Sequence, residues 1–148
     1  MSSSAAPGAP INTSHHQNFP QNTSFPDNIT FEHHCTFGQG CTFGRNTTFG
    51  HHCEFGQLCT FGAGSRFAHH CTFGQGGKFE GDGVWAHHCT FGQGSKFGGN
   101  ESFAHHCTHG QCSQFGANST WAHHCSFGQN GQFGANCQFA ANCQGNPQ

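Results

Sequence analysis

Tyrosine is absent from this 148-residue chain, and aliphatic side chains nearly so: Ile11, Ile29, Leu58 and Val84 are the whole set. A core of mixed Leu, Ile and Val is thereby excluded, so any apolar interior must be aromatic. Charge is equally scarce. Four Lys and Arg against six Asp and Glu make up 7% of residues and leave a formal net charge of −2. That balance offers no basic surface to a phosphate backbone, and no nucleic-acid partner is expected. No apolar run approaches the ~20 residues of a membrane-spanning helix, so no membrane span is expected either. Residues 1–10 are rich in Ser, Ala and Pro and lack the apolar stretch of a secretion signal. The chain reads as a protein made inside the cell with reduced cysteines. Its final compartment is left open, an extracellular or virion assembly included.

What the chain does contain is concentrated in four residue types, with 23 Gly, 18 Phe, 15 His and 11 Cys. Every phenylalanine, from Phe19 to Phe139, falls in one register of period six, and the gaps in that register are Trp85, His109 and Trp121. The next residue is Gly in twelve of the twenty-one hexads and Ala in five; Pro20, Pro26, Glu32 and Glu80 depart. The fifth position holds ten of the eleven cysteines. Six matches no α-helical period. Inward first and fifth positions on either side of an outward sixth are β alternation, with a corner between.

A second period of eighteen groups the hexads in threes. One corner carries the pairs His15–His16, His33–His34, His51–His52, His69–His70, His87–His88, His105–His106 and His123–His124. Another carries Gln21, Gln39, Gln57, Gln75, Gln93, Gln111 and Gln129. The third carries Asn28, Asn46, Gly64, Asp82, Asn100, Asn118 and Asn136, residues that tolerate a left-handed turn. The expected architecture is all-β: a triangular parallel solenoid of about seven coils, roughly 34 Å long at ~4.8 Å per coil. Its core is expected to be Phe31, Phe37, Phe43, Phe49, Phe55, Phe61, Phe67, Phe73, Trp85, Phe91, Phe103 and Trp121, stacked at coil spacing. Residues 1–12 read as an arm and partial cap, 13–144 as the solenoid and 145–148 as a tail. The last coil is expected to be poorly capped.

On this hexad of bulky apolar, small, two variable and small inward residues, residues 19–144 resemble the left-handed parallel β-helix family of hexapeptide-repeat proteins. The resemblance implies a left-handed coil. Phenylalanine in place of that family's aliphatics implies a wider or differently stacked core. The acyltransferases of the family carry a long loop, a catalytic His and room for coenzyme A between subunits. Here the repeats run without an inserted loop, and fourteen of fifteen histidines belong to the pairs. No Ser/His/Asp grouping, phosphate-binding loop or paired carboxylates are visible. The chain is read as non-enzymatic, with no required cofactor.

Three sets of residues remain as candidate sites. The seven histidine pairs are candidate ligands for Zn, Cu or Ni, two imidazoles one coil apart, such as His34 and His52, sharing an ion. Alternation argues against adding cysteine to such a site. Cys35, Cys53, Cys71, Cys89, Cys107, Cys125 and Cys143 form a separate inward column, expected to be small filler that neighbouring pairs could convert to disulfides. Glu101 in an inward position, His109 in an aromatic position and Cys112 at an exposed fourth position break the pattern. A buried carboxylate needs a partner. Glu101 is therefore expected to pair with His109 or to turn outward at a bulge.

For function, the low charge, the many amides and the repeating ridge suit lateral or end-to-end packing of identical rods into a fibre, filament or particle. The Phe-Gly-x-x-Cys-Thr style also resembles short hexapeptide-repeat proteins of bacteria and tailed phages, which implies a virion or filament component. A metal-binding rod is the competing reading. An ice-binding rod is a remote third, since Glu54 and Ser126 interrupt the outward file of Thr36, Thr72, Thr90 and Thr108.

Overall fold

In the computed structural model, residues 11–12 and 16–144 are described; residues 1–10, 13–15 and 145–148, and with them His15, most of the expected arm and the tail, lie outside the described residues. The described chain is a parallel β-solenoid. Strands of two residues, the sixth and first positions of successive hexads, alternate with four-residue corners almost throughout. The strands fall into three parallel sheets of eight, seven and seven, and strand partners within a sheet lie eighteen residues apart, as Phe49, Phe67 and Trp85 do. The first sheet runs from Ile11–Asn12 to Gln138–Phe139, the second from Asn18–Phe19 to Ser126–Phe127 and the third from Ser24–Phe25 to Gln132–Phe133. The histidine corner leads from the first sheet to the second, the glutamine corner to the third, and the asparagine corner back to the first.

Each hexad ties its backbone to both neighbouring coils. His34 N–H donates upward to the His51 carbonyl at 2.9 Å, while Thr36 and Gly38 N–H donate downward to Gln17 and Phe19 at 2.9 and 3.0 Å. This three-bond pattern repeats along the rod and satisfies groups that a two-residue strand would leave unpaired. Turning a corner in four residues also demands a left-handed residue. Every described fourth position, from His16 to Asn142, has positive φ, between 55° and 77°. The sequence located this feature at the asparagine corner alone; it governs all three. Asn, Asp, His and Gly fill twenty of these twenty-two sites, as expected of residues that enter that region most readily. Leu58 and Cys112 are the exceptions, at φ 60° and 59°. The small second position has an equally local cause. A Cβ at Gly38 would stand 2.6 Å from the Gln21 backbone nitrogen one coil below.

All twelve expected core aromatics are buried, together with Phe79, Phe97, Phe115 and Phe127. Rings in one column lie parallel at coil spacing, as with Phe37 and Phe55 at 4.9 Å and 3°. Rings from the three sheets meet edge to face within a coil, as Phe31, Phe37 and Phe43 do at 4.9 and 5.0 Å and 82–87°. Both arrangements suit the aromatic quadrupole better than a face-to-face sandwich of all three. Phe133 and Phe139 in the last coil, and Phe19 and Phe25 near the first, are only partly covered.

Candidate functional site

The histidine corner is the densest cluster of chemically active side chains. Its second file, His16, His34, His52, His70, His88, His106 and His124, occupies the left-handed fourth position, which aims the rings outward; all seven are exposed. They stack at 4.7–5.0 Å with planes within 15°. The first file, His33, His51, His69, His87, His105 and His123, stacks beside it at 4.4–5.2 Å and is half-buried except for His123. The tightest step, His33 to His51, has a specific origin. His51 N–H donates to His33 Nδ1 at 2.9 Å, and a Cβ at Gly50 would come within 2.6 Å of that nitrogen. Higher coils carry Ala68, Ala86, Ala104 and Ala122 at that position. The methyl occupies that space, the steps widen to 5.1–5.2 Å, and Nδ1 of His51, His69, His87 and His105 is left buried without a partner. Burial first, then neighbouring imidazoles, hold His51, His70 and His106 below the ordinary histidine range.

Parallel stacking bears directly on the metal expectation. Two nitrogens bound to one Zn at about 2.0–2.1 Å each can be no more than about 4.2 Å apart. Rings stacked 4.9 Å apart, as in His52–His70 and His70–His88, must unstack before they share an ion. Among the described residues no group of three or more His, Cys, Asp or Glu is placed to hold a metal.

Behind the corner, Cys35, Cys53, Cys71, Cys89, Cys107 and Cys125 are fully buried and Cys143 is half-buried; none of them is in a disulfide. Each from Cys53 onward lies 3.2–3.5 Å from the second-position carbonyl of the preceding coil. The neighbouring thiols of the column, together with burial, push Cys53, Cys89 and Cys125 above the ordinary thiol range.

The two pattern breaks do not behave as expected. Glu101 and His109 are both buried, neither pairs with the other, and no bulge turns Glu101 outward. Glu101 bends into space left by Gly83 one coil below, where Oε1 accepts the Gly83 N–H at 2.9 Å and Oε2 has no partner. A Cβ at Gly83 would lie 2.7 Å from Oε1 and 2.6 Å from Trp85 Cη2, so the absent side chain houses both groups. Burial, countered by the Gly83 N–H and assisted by Asp82, pushes the Glu101 carboxyl up to about 8. His109 stacks between Phe91 and Phe127 at 4.7 and 5.2 Å and accepts the Trp121 indole N–H at 3.1 Å. It gives the buried Trp121 indole an acceptor, which the equally buried Trp85 indole lacks, and burial holds the imidazole neutral with a pKa lowered to about 3. The sequence signal for both was present: Gly83 directly below Glu101 in its own column with Thr47, Ser65 and Ser119, and Trp121 in a phenylalanine register.

At the glutamine corner, Leu58, 63% exposed, and Cys112 bound a shallow notch of about 310 Å³ with Gln57, Gln75, Gly76, Gln93 and Gly94. In the outward file of the second sheet, exposed Glu54 stands between Thr36 and Thr72. Among the described residues no helix is long and apolar enough to cross a membrane. No family model, curated protein or solved structure matches the chain.

Proposed function

We propose that this solenoid is a non-enzymatic structural component that associates with copies of itself along the histidine corner, building or decorating a fibre, filament or particle. The observation that carries this reading is the unbroken register. From Asn18 to Phe139 every connection between strands is a short corner, and the exposed surface repeats every eighteen residues. Such a surface is a lattice of equivalent contacts, which suits a copy with the same repeat better than a single small ligand. The stacked imidazoles add a flat, aromatic ridge. The register also supports kinship with left-handed hexapeptide-repeat β-helices.

A metal-binding rod is the second reading, supported by the continuous exposed file and disfavoured by its ring spacing. Sedimentation velocity separates the two. His34, His52, His70, His88 and His106 are replaced together by Asn, which keeps the left-handed turn. Wild-type protein in chelator is expected to sediment as oligomers and the variant as monomers. Oligomers that form only after Zn is added would overturn the proposal in favour of the metal reading.

A further inference from the structure

One inward column is cysteine in every coil from Cys35 to Cys143. The fifth positions of the other two corners mix Thr, Ser, Gly, Ile, Glu and Cys, and Thr47, Ser65, Ser95, Ser113 and Ser119 satisfy themselves on the carbonyl three residues earlier. A requirement for a small filler does not explain seven consecutive thiols. Six of them are 0% exposed. Cys143 is half-buried in the last coil, where Gln144 N–H donates to the Cys125 carbonyl at 2.9 Å. The register is continuous, one thiol per coil, and each from Cys53 onward donates to a backbone carbonyl of the coil below.

We propose that this column is a disulfide relay, in which oxidation accepted at Cys143 passes inward from coil to coil by thiol–disulfide exchange. In the first step the Cys143 thiolate attacks a small-molecule disulfide and expels one thiolate, which takes up the proton Cys143 released. Cys125 then attacks Cys143 in the mixed disulfide and expels the second, leaving a Cys125–Cys143 disulfide and two small-molecule thiols. In the relay step Cys107 attacks Cys125, the bond to Cys143 breaks, and Cys143 leaves with the proton Cys107 gave up. That step consumes no oxidant, and Cys143 is again free to accept another equivalent.

The geometry suits displacement at sulfur, which runs in line through attacking, central and leaving atoms. A ladder stacked along the rod axis places three successive sulfurs in such a row. Parallel strands lie ~4.8 Å apart, within the roughly 4.4–6.8 Å Cα separation of disulfides. The Cβ atoms must still draw together by several tenths of an ångström, since about 3.5–4.5 Å is usual, and a bond formed under that demand is readily passed on. Seven thiols make three disulfides and leave one thiol.

The test uses the full folded chain carrying Cys112→Asn to remove the exposed thiol, with glutathione disulfide as the probe. Remaining thiols are alkylated after an acid quench and mapped by mass spectrometry. Disulfides are expected among Cys35 to Cys125, and Cys143→Ser is expected to slow their formation at least about tenfold. Cys71→Ser, which leaves the last coil untouched, should keep Cys35 and Cys53 reduced while Cys89 to Cys143 oxidise. Inner disulfides forming equally fast in Cys143→Ser, or beyond the break in Cys71→Ser, would overturn the relay, as would glutathione adducts on Cys143 without internal disulfides.

Discussion

Replacing Glu101 by Gln tests the buried carboxyl through pH alone. In the folded chain the group titrates at about 8, against an ordinary value of 4.5. Between those values the native state holds a proton that the unfolded state has released, so stability falls as pH rises, by about 1.4 kcal/mol per unit. Over the whole window that is on the order of 5 kcal/mol, a large part of a domain's net stability. His109 acts in the opposite sense. Its folded value lies near 3 and its ordinary value at 6.5, so stability is lost as pH falls through that range. From about pH 4.5 to 6.5 the two slopes oppose each other, and above 6.5 the His109 slope ends while the Glu101 slope continues. Wild-type protein should therefore lose about 2 kcal/mol between pH 6.5 and 8. Glu101→Gln keeps an acceptor for the Gly83 N–H and should show no such loss. Denaturant titration in reducing buffer at pH 6.5, 7.2 and 8 reads both. Parallel profiles for the two proteins would refute the assignment of Glu101 as a neutral buried acid.

Four further outcomes follow from the same geometry. Gly83→Ala should destabilise by about 1–3 kcal/mol, because its methyl meets Trp85 and Glu101 at 2.6 and 2.7 Å, and Glu101→Ser should recover part of that loss in thermal melts. Leu58→Asn should raise stability by about 1 kcal/mol by relieving an exposed left-handed leucine, measured by denaturant midpoint. His109→Phe should cost about 1–3 kcal/mol at pH 7 by orphaning the Trp121 indole, and Trp121→Phe on that background should restore most of it. The lowered values of His51, His70 and His106 mean that acid charges the unfolded chain first, so stability should decline as pH drops below 6.5 even in Glu101→Gln. Melts at pH 7 and 5 check this.

Much of the fold was legible because its determinants are periodic. Phenylalanine every six residues and histidine pairs every eighteen specify coil length, the number of sheets and the inward face without any long-range inference. Corner geometry was half legible. Asn28 and Asn46 advertise a left-handed residue, whereas His34 and Leu58 do not, because their side chains suggest chemistry rather than backbone conformation. The pattern breaks misled for a different reason. Glu101 and His109 were set against each other as the two polar intrusions, yet each answers to a different residue: Gly83, one coil below in the same column, makes room for Glu101, and Trp121 in another column donates to His109. Side-chain complementarity across coils lies outside what a one-dimensional period records. The histidine files were located correctly by sequence, but their parallel stacking, which sets the distance between possible ligands, belongs to the folded corner.

Electron microscopy of the purified wild-type chain at neutral pH, in reducing buffer with a chelator, bears most directly on the structural role. Ordered fibres or sheets whose lateral spacing changes when the histidine file is replaced by asparagine are the predicted result. Discrete rods about seven coils long at every concentration would contradict it.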